Sequence, residues 1–238
     1  MSDTFLDGRV KVAQPGSGFR SGLDAVMLAA AVPAKDGNNA LELGAGSGVA
    51  SLCLEGRVPG VNVTGVERDP ELAALANHNA VSNNAKARFV SADIFALPPE
   101  LKRDFDQVLA NPPFHGEGQA SPDAARAAAL MDDGRLPDWL ALGLQRTISG
   151  GYFTAILRAD RLNQALAAMP QKGLCVFPLV PRSGEAPKRV IVQARKGSKA
   201  PFTLLPGLVL HWGDGSWTPE ADAVLRRGSA LALSGARL

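Results

Sequence analysis

The sequence has few cysteines and no long hydrophobic run, and these shortages exclude several classes of protein. Cys53 and Cys175 are its only cysteines; they stand far apart inside apolar segments and match no metal-ligand spacing. A disulfide framework and a zinc site are therefore not expected, and a reducing cytoplasm is the expected location. The longest apolar runs, such as residues 26–32, are too short to cross a bilayer, and no basic-then-apolar secretory leader precedes Asp3.

Length and charge favour one domain with a basic tail. A chain of 238 residues, 46% of them hydrophobic, can bury the core of a single domain. We expect an N-terminal extension over residues 1–39, a core over 40–196 and a C-terminal extension over 197–238. The net charge is only +2, but nine basic and four acidic residues lie between Pro181 and Leu238. This excess suits a surface that faces a polyanion, although an ordinary solvated basic face is an equally good interpretation of charge alone.

Short apolar runs alternate with segments of helical periodicity, and this alternation predicts the fold class. The runs that have the length and composition of strands are residues 40–43, 61–66, 87–91, 105–110, 152–157 and 174–178. The segments with helical spacing are residues 49–57, 70–81, 136–147 and 159–169. Strands that alternate with helices are typical of an α/β protein with a doubly wound, mostly parallel sheet. In such a sheet a ligand lies beyond the carboxyl ends of the strands.

Two further segments carry local structural signals. Ser21 and Asp24 have the spacing of a capping box, in which Asp24 reaches back to the start of a helix that ends before Pro33. In the tail, residues 189–195 and 202–205 are extended and separated by a basic turn. This arrangement predicts a strand pair added to the edge of the sheet.

Three glycines follow the first predicted strand and precede a helix, as in a nucleotide-binding turn. Residues 41–48 read Leu-Glu-Leu-Gly-Ala-Gly-Ser-Gly, which places the glycines at Gly44, Gly46 and Gly48. Glycines let the backbone turn tightly and approach a ligand closely. A dinucleotide fingerprint also needs a glycine at its sixth position, and Val49 stands there. The pattern therefore favours a nucleoside ligand that has no pyrophosphate.

Acidic residues on three successive predicted strands suit the other parts of a nucleoside. Glu67 ends the second strand, where a carboxylate can accept both ribose hydroxyls. Asp93 follows the third strand and can accept a hydrogen bond from an adenine amino group, with Ile94 or Phe95 flanking the ring. Glu42 lies beside the glycine turn and can help to hold an ammonium group. An ordinary surface carboxylate is the alternative interpretation of each acid.

The segment Asn111-Pro112-Pro113-Phe114 follows the fourth predicted strand and has the chemistry to hold a planar amino group. Such a nitrogen is a poor nucleophile when its lone pair is delocalised into a ring. The Asn111 side-chain oxygen and the Pro112 carbonyl can accept its two N–H groups and direct the lone pair at an electrophile. Phe114 offers a flat base a ring to stack on. The alternative is a Pro-Pro turn that only ends the strand.

Together these motifs resemble the class I S-adenosylmethionine (SAM)-dependent methyltransferases, over roughly residues 21–195. Within that class the chain is most similar to the bacterial tRNA1(Val) adenine-37 N6-methyltransferase family, through residues 19–28 and 188–198. The resemblance implies a seven-stranded Rossmann-like sheet with an antiparallel C-terminal edge. It also implies SAM as methyl donor, S-adenosyl-L-homocysteine as product, and adenine N6 in a tRNA anticodon loop as acceptor. Phe114 stands where other members often have Tyr.

An RNA substrate would give the basic tail a partner. Lys188, Arg189, Arg195, Lys196 and Lys199 are predicted to contact its phosphates. The Gly-rich and Ala-rich residues 115–135 are expected to form a mobile lid that orders on substrate binding.

Other functions stay open at this point. Guanine-N2 methylation of rRNA is one alternative, because Phe also occurs at the position of Phe114 in those enzymes. Methylation of a protein glutamine amide is another, although enzymes of that kind usually carry an additional N-terminal helical domain. A non-catalytic RNA-binding or nucleotide-binding module is disfavoured by the intact Asn-Pro-Pro-Phe segment. The sequence leaves the oligomeric state open.

Overall fold

In the computed structural model, residues 2–16, 20–113, 135–231 and 233 are described. The strands are β1 (Ser2–Phe5), β2 (Val10–Ala13), β3 (Asn39–Leu43), β4 (Asn62–Glu67), β5 (Arg88–Ser91), β6 (Phe105–Ala110), β7 (Thr147–Arg158), β8 (Leu174–Arg182), β9 (Arg189–Arg195), β10 (Thr203–Leu204) and β11 (Leu208–His211). The helices are α1 (Leu23–Ala31), α2 (Val49–Arg57), α3 (Pro70–Ser82), α4 (Leu136–Arg146), α5 (Leu162–Ala168) and α6 (Pro219–Leu225). Short 3₁₀ turns cover Ile94–Ala96, Pro99–Leu101 and Ala159–Arg161. Phe114 and nearly all of the predicted lid lie outside the described residues.

The described strands form one large mixed sheet and one small hairpin. Eight of the nine strands of the large sheet follow the order β10-β8-β9-β7-β6-β3-β4-β5, and the ninth, β11, pairs with β8. All of its pairings are parallel except those that β9 makes with β7 and β8. The predicted α/β class, with a doubly wound and mostly parallel sheet, is therefore confirmed.

The tail of the sheet differs from the prediction in three ways. The sheet has nine strands rather than seven, and its antiparallel strand β9 is internal rather than at the edge. The expected pair of residues 189–195 with 202–205 does not form, because β10 pairs in parallel with β8. Val190, Ile191 and Val192 are almost completely buried although they alternate between the two faces. Ile191 belongs to the hydrophobic cluster on one face of the sheet and Val190 and Val192 to the cluster on the other face. Strands β7 and β8 pair with the two sides of β9, so β9 is not an edge strand.

Helices cover both faces of the sheet. One hydrophobic cluster contains apolar side chains of α1, α2, α3 and α6 together with one set of strand residues. The other cluster contains Trp139 and Leu140 of α4 and Ala165 of α5, with the alternate strand residues. Within the described residues, the helices are too short or too polar to span a membrane.

Local chemistry explains where one helix begins and corrects the prediction for another. Helix α3 starts at Pro70, and the Asp69 side chain caps it by accepting the backbone N–H groups of Glu71 and Leu72. The capping box predicted for α1 is wrong. Gly22 is its N-cap and no side chain caps it. Asp24 instead forms an ion pair with Arg189, at 2.8 Å.

The N-terminal hairpin of β1 and β2 lies in a region where the sequence shows little periodicity. Asn79 of α3 accepts the N–H of Ala13 at 2.9 Å and donates to the carbonyl of Ala13 at 3.0 Å. Asn83 pairs with the backbone of Lys11 in the same way, at 2.8 and 2.7 Å. Two asparagines one helical turn apart thus extend the hairpin like a third strand. Because the hairpin binds α3 and because β10 and β11 join the sheet, we propose that residues 1–238 form one domain.

Candidate active site

The candidate site lies at the carboxyl ends of three neighbouring strands. Leu43 of β3 is opposite both Val66 of β4 and Ala110 of β6. The residues that follow these three are therefore aligned along the sheet. They are Gly44, which begins the glycine turn after β3, Glu67 on β4 and Asn111 after β6. The parallel sheet thus brings together the cofactor and acceptor motifs that the sequence separates by more than 60 residues.

The three glycines of the turn have different surroundings. All have positive φ, at +70° for Gly44, +55° for Gly46 and +86° for Gly48. A Cβ on Gly44 would lie 2.7 Å from the Trp139 ring, and one on Gly48 would lie 2.7 Å from the Phe89 ring. A Cβ on Gly46 would meet no described atom within 4 Å. Gly44 and Gly48 are therefore required by packing, whereas the open side of Gly46 allows a ligand to approach the backbone.

Glu67 holds the glycine turn in place. Its Oε2 accepts the backbone N–H of Gly46 at 2.8 Å, and its Oε1 accepts that of Asp69 at 2.9 Å. The residue is buried, with 8% of its surface exposed. Each carboxylate oxygen keeps a lone pair for a further donor.

Glu42 is a buried carboxyl rather than a surface one. Its Oε2 accepts both the N–H and the hydroxyl of Ser51, in the first turn of α2. The pKa of Glu42 is raised to about 8, chiefly by burial; the bonds from Ser51 oppose the rise, and the nearby charge of Glu67 adds to it. Glu42 is therefore mostly protonated at neutral pH and links β3 to α2. Its predicted contact with an ammonium group stays a prediction and requires the ionised form.

Phe95, which follows β5, packs against an aromatic residue of α4 beside the candidate site. Asp93 is exposed and its Oδ1 accepts the Phe95 N–H at 2.9 Å, while Ile94 is buried. The Phe95 ring meets Trp139 edge to face at 6.2 Å, and the Arg135 guanidinium lies 3.4 Å from its centroid. Sequence reasoning missed Trp139 and Arg135. The available signal was a large aromatic residue on the buried face of the amphipathic segment 136–147.

Asn111 has an unusual side-chain environment. Its Oδ1 is buried and has no hydrogen-bond partner among the described residues. Pro112 beside it is buried and Pro113 is half-buried. A buried oxygen without a donor costs about 1–3 kcal/mol. Such an unsatisfied acceptor at the carboxyl edge of the sheet is a feature that an N–H donor from a ligand would relieve.

The five predicted phosphate-binding residues do not lie together. Lys188 and Arg189 are at the start of β9, and Arg195, Lys196 and Lys199 are at its end and in the following turn. Because β9 runs against the other strands, its start lies at the edge of the candidate site and its end lies at the opposite edge. The sequence shows these basic residues, but it does not show that β9 is antiparallel to its neighbours and so separates them.

Comparisons with other sequences find methyltransferases. A sequence profile of the methyltransferase small domain matches residues 20–135. The tRNA1(Val) (adenine(37)-N6)-methyltransferase of Klebsiella pneumoniae is 31% identical over 163 residues, which make up 66% of this chain and 65% of that protein. The protein of the same name from Porphyromonas gingivalis is 29% identical over 242 residues, with 92% of each chain covered. The chain thus spans slightly less than two thirds of the first relative and most of the second.

Comparisons with solved structures agree on the architecture. A predicted O-methyltransferase from Agrobacterium tumefaciens superposes with a TM-score of 0.72 at 26% identity, over 87% of this chain and 98% of that one. A 16S rRNA guanine-N2 methyltransferase from Thermus thermophilus, in complex with AdoMet and guanosine, gives a TM-score of 0.56 at 21% identity. That match covers 82% of this chain and 50% of the other, and at this identity it shows a shared fold alone.

Proposed function

The chain belongs to the methyltransferase small domain family of class I SAM-dependent methyltransferases, and from this membership we propose that it methylates the exocyclic amino group of a base in RNA. The base we propose is adenine, at N6, in a tRNA anticodon loop. The family confirms the resemblance stated from the sequence and the expected cofactor, SAM. The acceptor and the roles of individual residues are our proposal.

The described residues fit SAM, which supplies a methyl group carried on a positively charged sulfur. Glu67 would accept the ribose hydroxyls through the lone pairs that its two backbone partners leave free. The open side of Gly46 would lie against the nucleoside. Asp93 is exposed at the next strand end and would accept from the adenine amino group, with Ile94 and Phe95 beside the ring.

The buried Oδ1 of Asn111, which has no hydrogen-bond partner among the described residues, carries the proposal for the acceptor. An exocyclic amino group would donate one N–H to this oxygen and the other to the Pro112 carbonyl. Both bonds favour a more pyramidal nitrogen and a localised lone pair, so alignment and electrostatic complementarity would lower the barrier. Phe114 would stack on the base, as the sequence predicts.

One observation and one general argument support tRNA as the RNA. The relatives from Klebsiella and Porphyromonas are named for adenine 37 of tRNA1(Val). Bases in single-stranded loops are also those that a protein can splay out and grip. A cytoplasmic location, where tRNA is modified, belongs to the same proposal.

The acceptor is tested by incubating the protein with radioactive SAM and separate tRNA, rRNA and protein fractions. We expect label in tRNA, and digestion to nucleosides should release N6-methyladenosine. Label found only in protein, or methyl groups bound to oxygen, would overturn the proposed acceptor.

The role of Asn111 is tested with Asn111→Ala and the control Gln107→Ala. Gln107 is a buried amide within β6, four residues before Asn111, and its side-chain oxygen also has no partner among the described residues. We expect Asn111→Ala to lose about a hundredfold or more in turnover while SAM still binds. Gln107→Ala should keep its turnover as long as it folds. Equal turnover in the two variants would remove Asn111 from the mechanism.

A further inference from the structure

Three turns meet at the edge of the sheet opposite the candidate site. The backbone N–H of Gly150 donates to Lys196 O at 2.8 Å, joining the turn in β7 to the turn after β9. The N–H of Gly173, before β8, donates to Ala200 O at 2.7 Å, and the N–H of Arg195 donates to Gly173 O at 2.8 Å. These contacts fix the relative positions of the three turns.

The turns concentrate positive charge. They bring together five basic residues, which we call the distal basic patch: Arg146, Lys172, Arg195, Lys196 and Lys199. Residues 145–151, 170–173 and 195–201 contain no acidic residue. The whole chain carries a formal charge of only +2. The positive charge of these five residues is therefore larger than the net charge of the entire molecule.

The patch is held rigidly at its centre and is exposed around it. The Lys196 ammonium donates to the carbonyls of Gln145 and Thr147, at 3.2 and 2.5 Å, where α4 ends. Lys172, Arg195 and Lys199 are exposed. Lys196 thus organises the surface, and the exposed cations are available to a ligand.

Neighbouring acids do not neutralise the patch. Strand β6 starts beside β7 through the pairing of Phe105 with Thr147, and Asp104 and Asp106 flank that position. Lys102 and Arg103 precede these acids in the sequence and balance their charge. Asp106 also accepts the Asn39 N–H at 2.8 Å. The excess of positive charge at this edge therefore persists.

The patch is too far from Asn111 to bind the nucleotide held there. Arg195 is opposite Tyr152, and Tyr152 is opposite Gln107, four residues before Asn111. Four strand residues span about 13 Å and two strand spacings about 10 Å, so the Cα atoms of Arg195 and Asn111 are roughly 16 Å apart.

We propose that the distal basic patch binds backbone phosphates of the same RNA outside its target loop, so that the substrate is a folded RNA in contact with two opposite edges of the sheet. The inference rests on the proposed RNA methylation. Clustered Lys and Arg side chains bind phosphates without reading sequence. The patch would thus contribute affinity and favour a large folded RNA over a short oligonucleotide.

The test combines Lys172→Glu with Lys199→Glu and leaves Lys196 in place. The matched control combines Lys11→Glu with Lys86→Glu, which changes the charge equally at exposed lysines away from the patch. Binding and methylation are measured on a full-length tRNA and on a short stem-loop that carries the target base, at several salt concentrations.

For the full-length RNA, we expect the patch variant to lose roughly tenfold or more in affinity, and its plot of log K against log salt to become shallower by about one per lost phosphate contact. The loss for the short stem-loop and the loss in the control should both be much smaller. Equal losses on both RNAs, or equal losses in patch and control variants, would overturn the inference. A parent protein that methylates neither RNA would instead refute the proposed function.

Discussion

At the level of single residues, Gly46 differs from Gly44 and Gly48 because a Cβ built on it would meet no described protein atom within 4 Å. Gly46→Ala should weaken SAM binding about tenfold or more, since a methyl group would occupy the approach to the backbone and the backbone has φ of +55°. Gly48→Ala should mainly destabilise the fold, since its Cβ would lie 2.7 Å from Phe89. Calorimetric titration with SAM and thermal unfolding separate the two effects. A Gly46→Ala protein that binds SAM like the parent would contradict the assignment.

The buried carboxyl of Glu42 makes a second residue-scale prediction, about pH. Its pKa is raised from 4.5 to about 8 in the folded state, chiefly by burial. Above about pH 4.5 the unfolded chain releases this proton while the folded chain keeps it, so the unfolded state binds fewer protons. The free energy of unfolding should therefore fall as pH rises towards 8, by up to about 1.4 kcal/mol per pH unit.

Glu42→Gln should remove this pH dependence, because an amide does not titrate. Relative to the parent, the variant should become progressively more stable as the pH is raised from about 5 to 8. Urea unfolding of both proteins at several pH values measures the difference. Parallel curves across that range would show that Glu42 is ionised in the folded protein.

At the level of elements, Asn79 connects the N-terminal hairpin to the glycine turn. Besides its two bonds to Ala13, it donates to the carbonyl of Ser47 at 3.0 Å, and it is 1% exposed. Asn79→Ala should cost roughly 1–3 kcal/mol, because buried backbone groups lose their partners. It should also raise the KM for SAM while kcat changes little, because the displaced turn binds the cofactor rather than the acceptor.

Asn83→Ala is the matched control for that variant. Asn83 makes the same pair of bonds to the hairpin, through Lys11, but it is half-buried, and no bond joins it to the glycine turn among the contacts of the described residues. It should destabilise the hairpin without changing the KM for SAM. An equal rise in KM in both variants would show that loss of the hairpin, and not its link to Ser47, affects the cofactor.

The elements that could be predicted from sequence are those with local boundaries. Strand β6 ends before Asn111-Pro112, and α2 starts after Gly48, so both have the predicted limits. The sequence did not predict the hairpin, because the hairpin is held by hydrogen bonds from Asn79 and Asn83, more than 60 positions away in the sequence. For the candidate site, the pattern predicted that the glycine turn and Asn111 follow strand ends, as they do. It did not reveal that Glu42 is buried, because burial depends on which helix packs over it.

At the level of the whole molecule, strand direction decides which residues can act together. Parallel strands place Glu67 and Asn111 at one edge, although they are far apart in sequence. In the described part of the large sheet, the reversed strand β9 then places the basic residues 188–199 at both edges. The basic residues that are close together in the sequence therefore form two separate surfaces, one beside the candidate site and one remote from it.

The surface beside the site contains Lys188, and its behaviour should differ from that of the distal basic patch. Lys188 is exposed at the start of β9, next to Arg189, which is opposite Arg158 at the end of β7. In the proposed complex a phosphate of the target loop would lie within reach of this edge, so Lys188→Glu should weaken binding of the full-length RNA and of the short stem-loop by similar factors. Fluorescence anisotropy with the two RNAs measures both affinities. A loss confined to the full-length RNA would place Lys188 outside the loop-binding surface, and the RNA would then have to approach Asn111 from the side of β4 and β5.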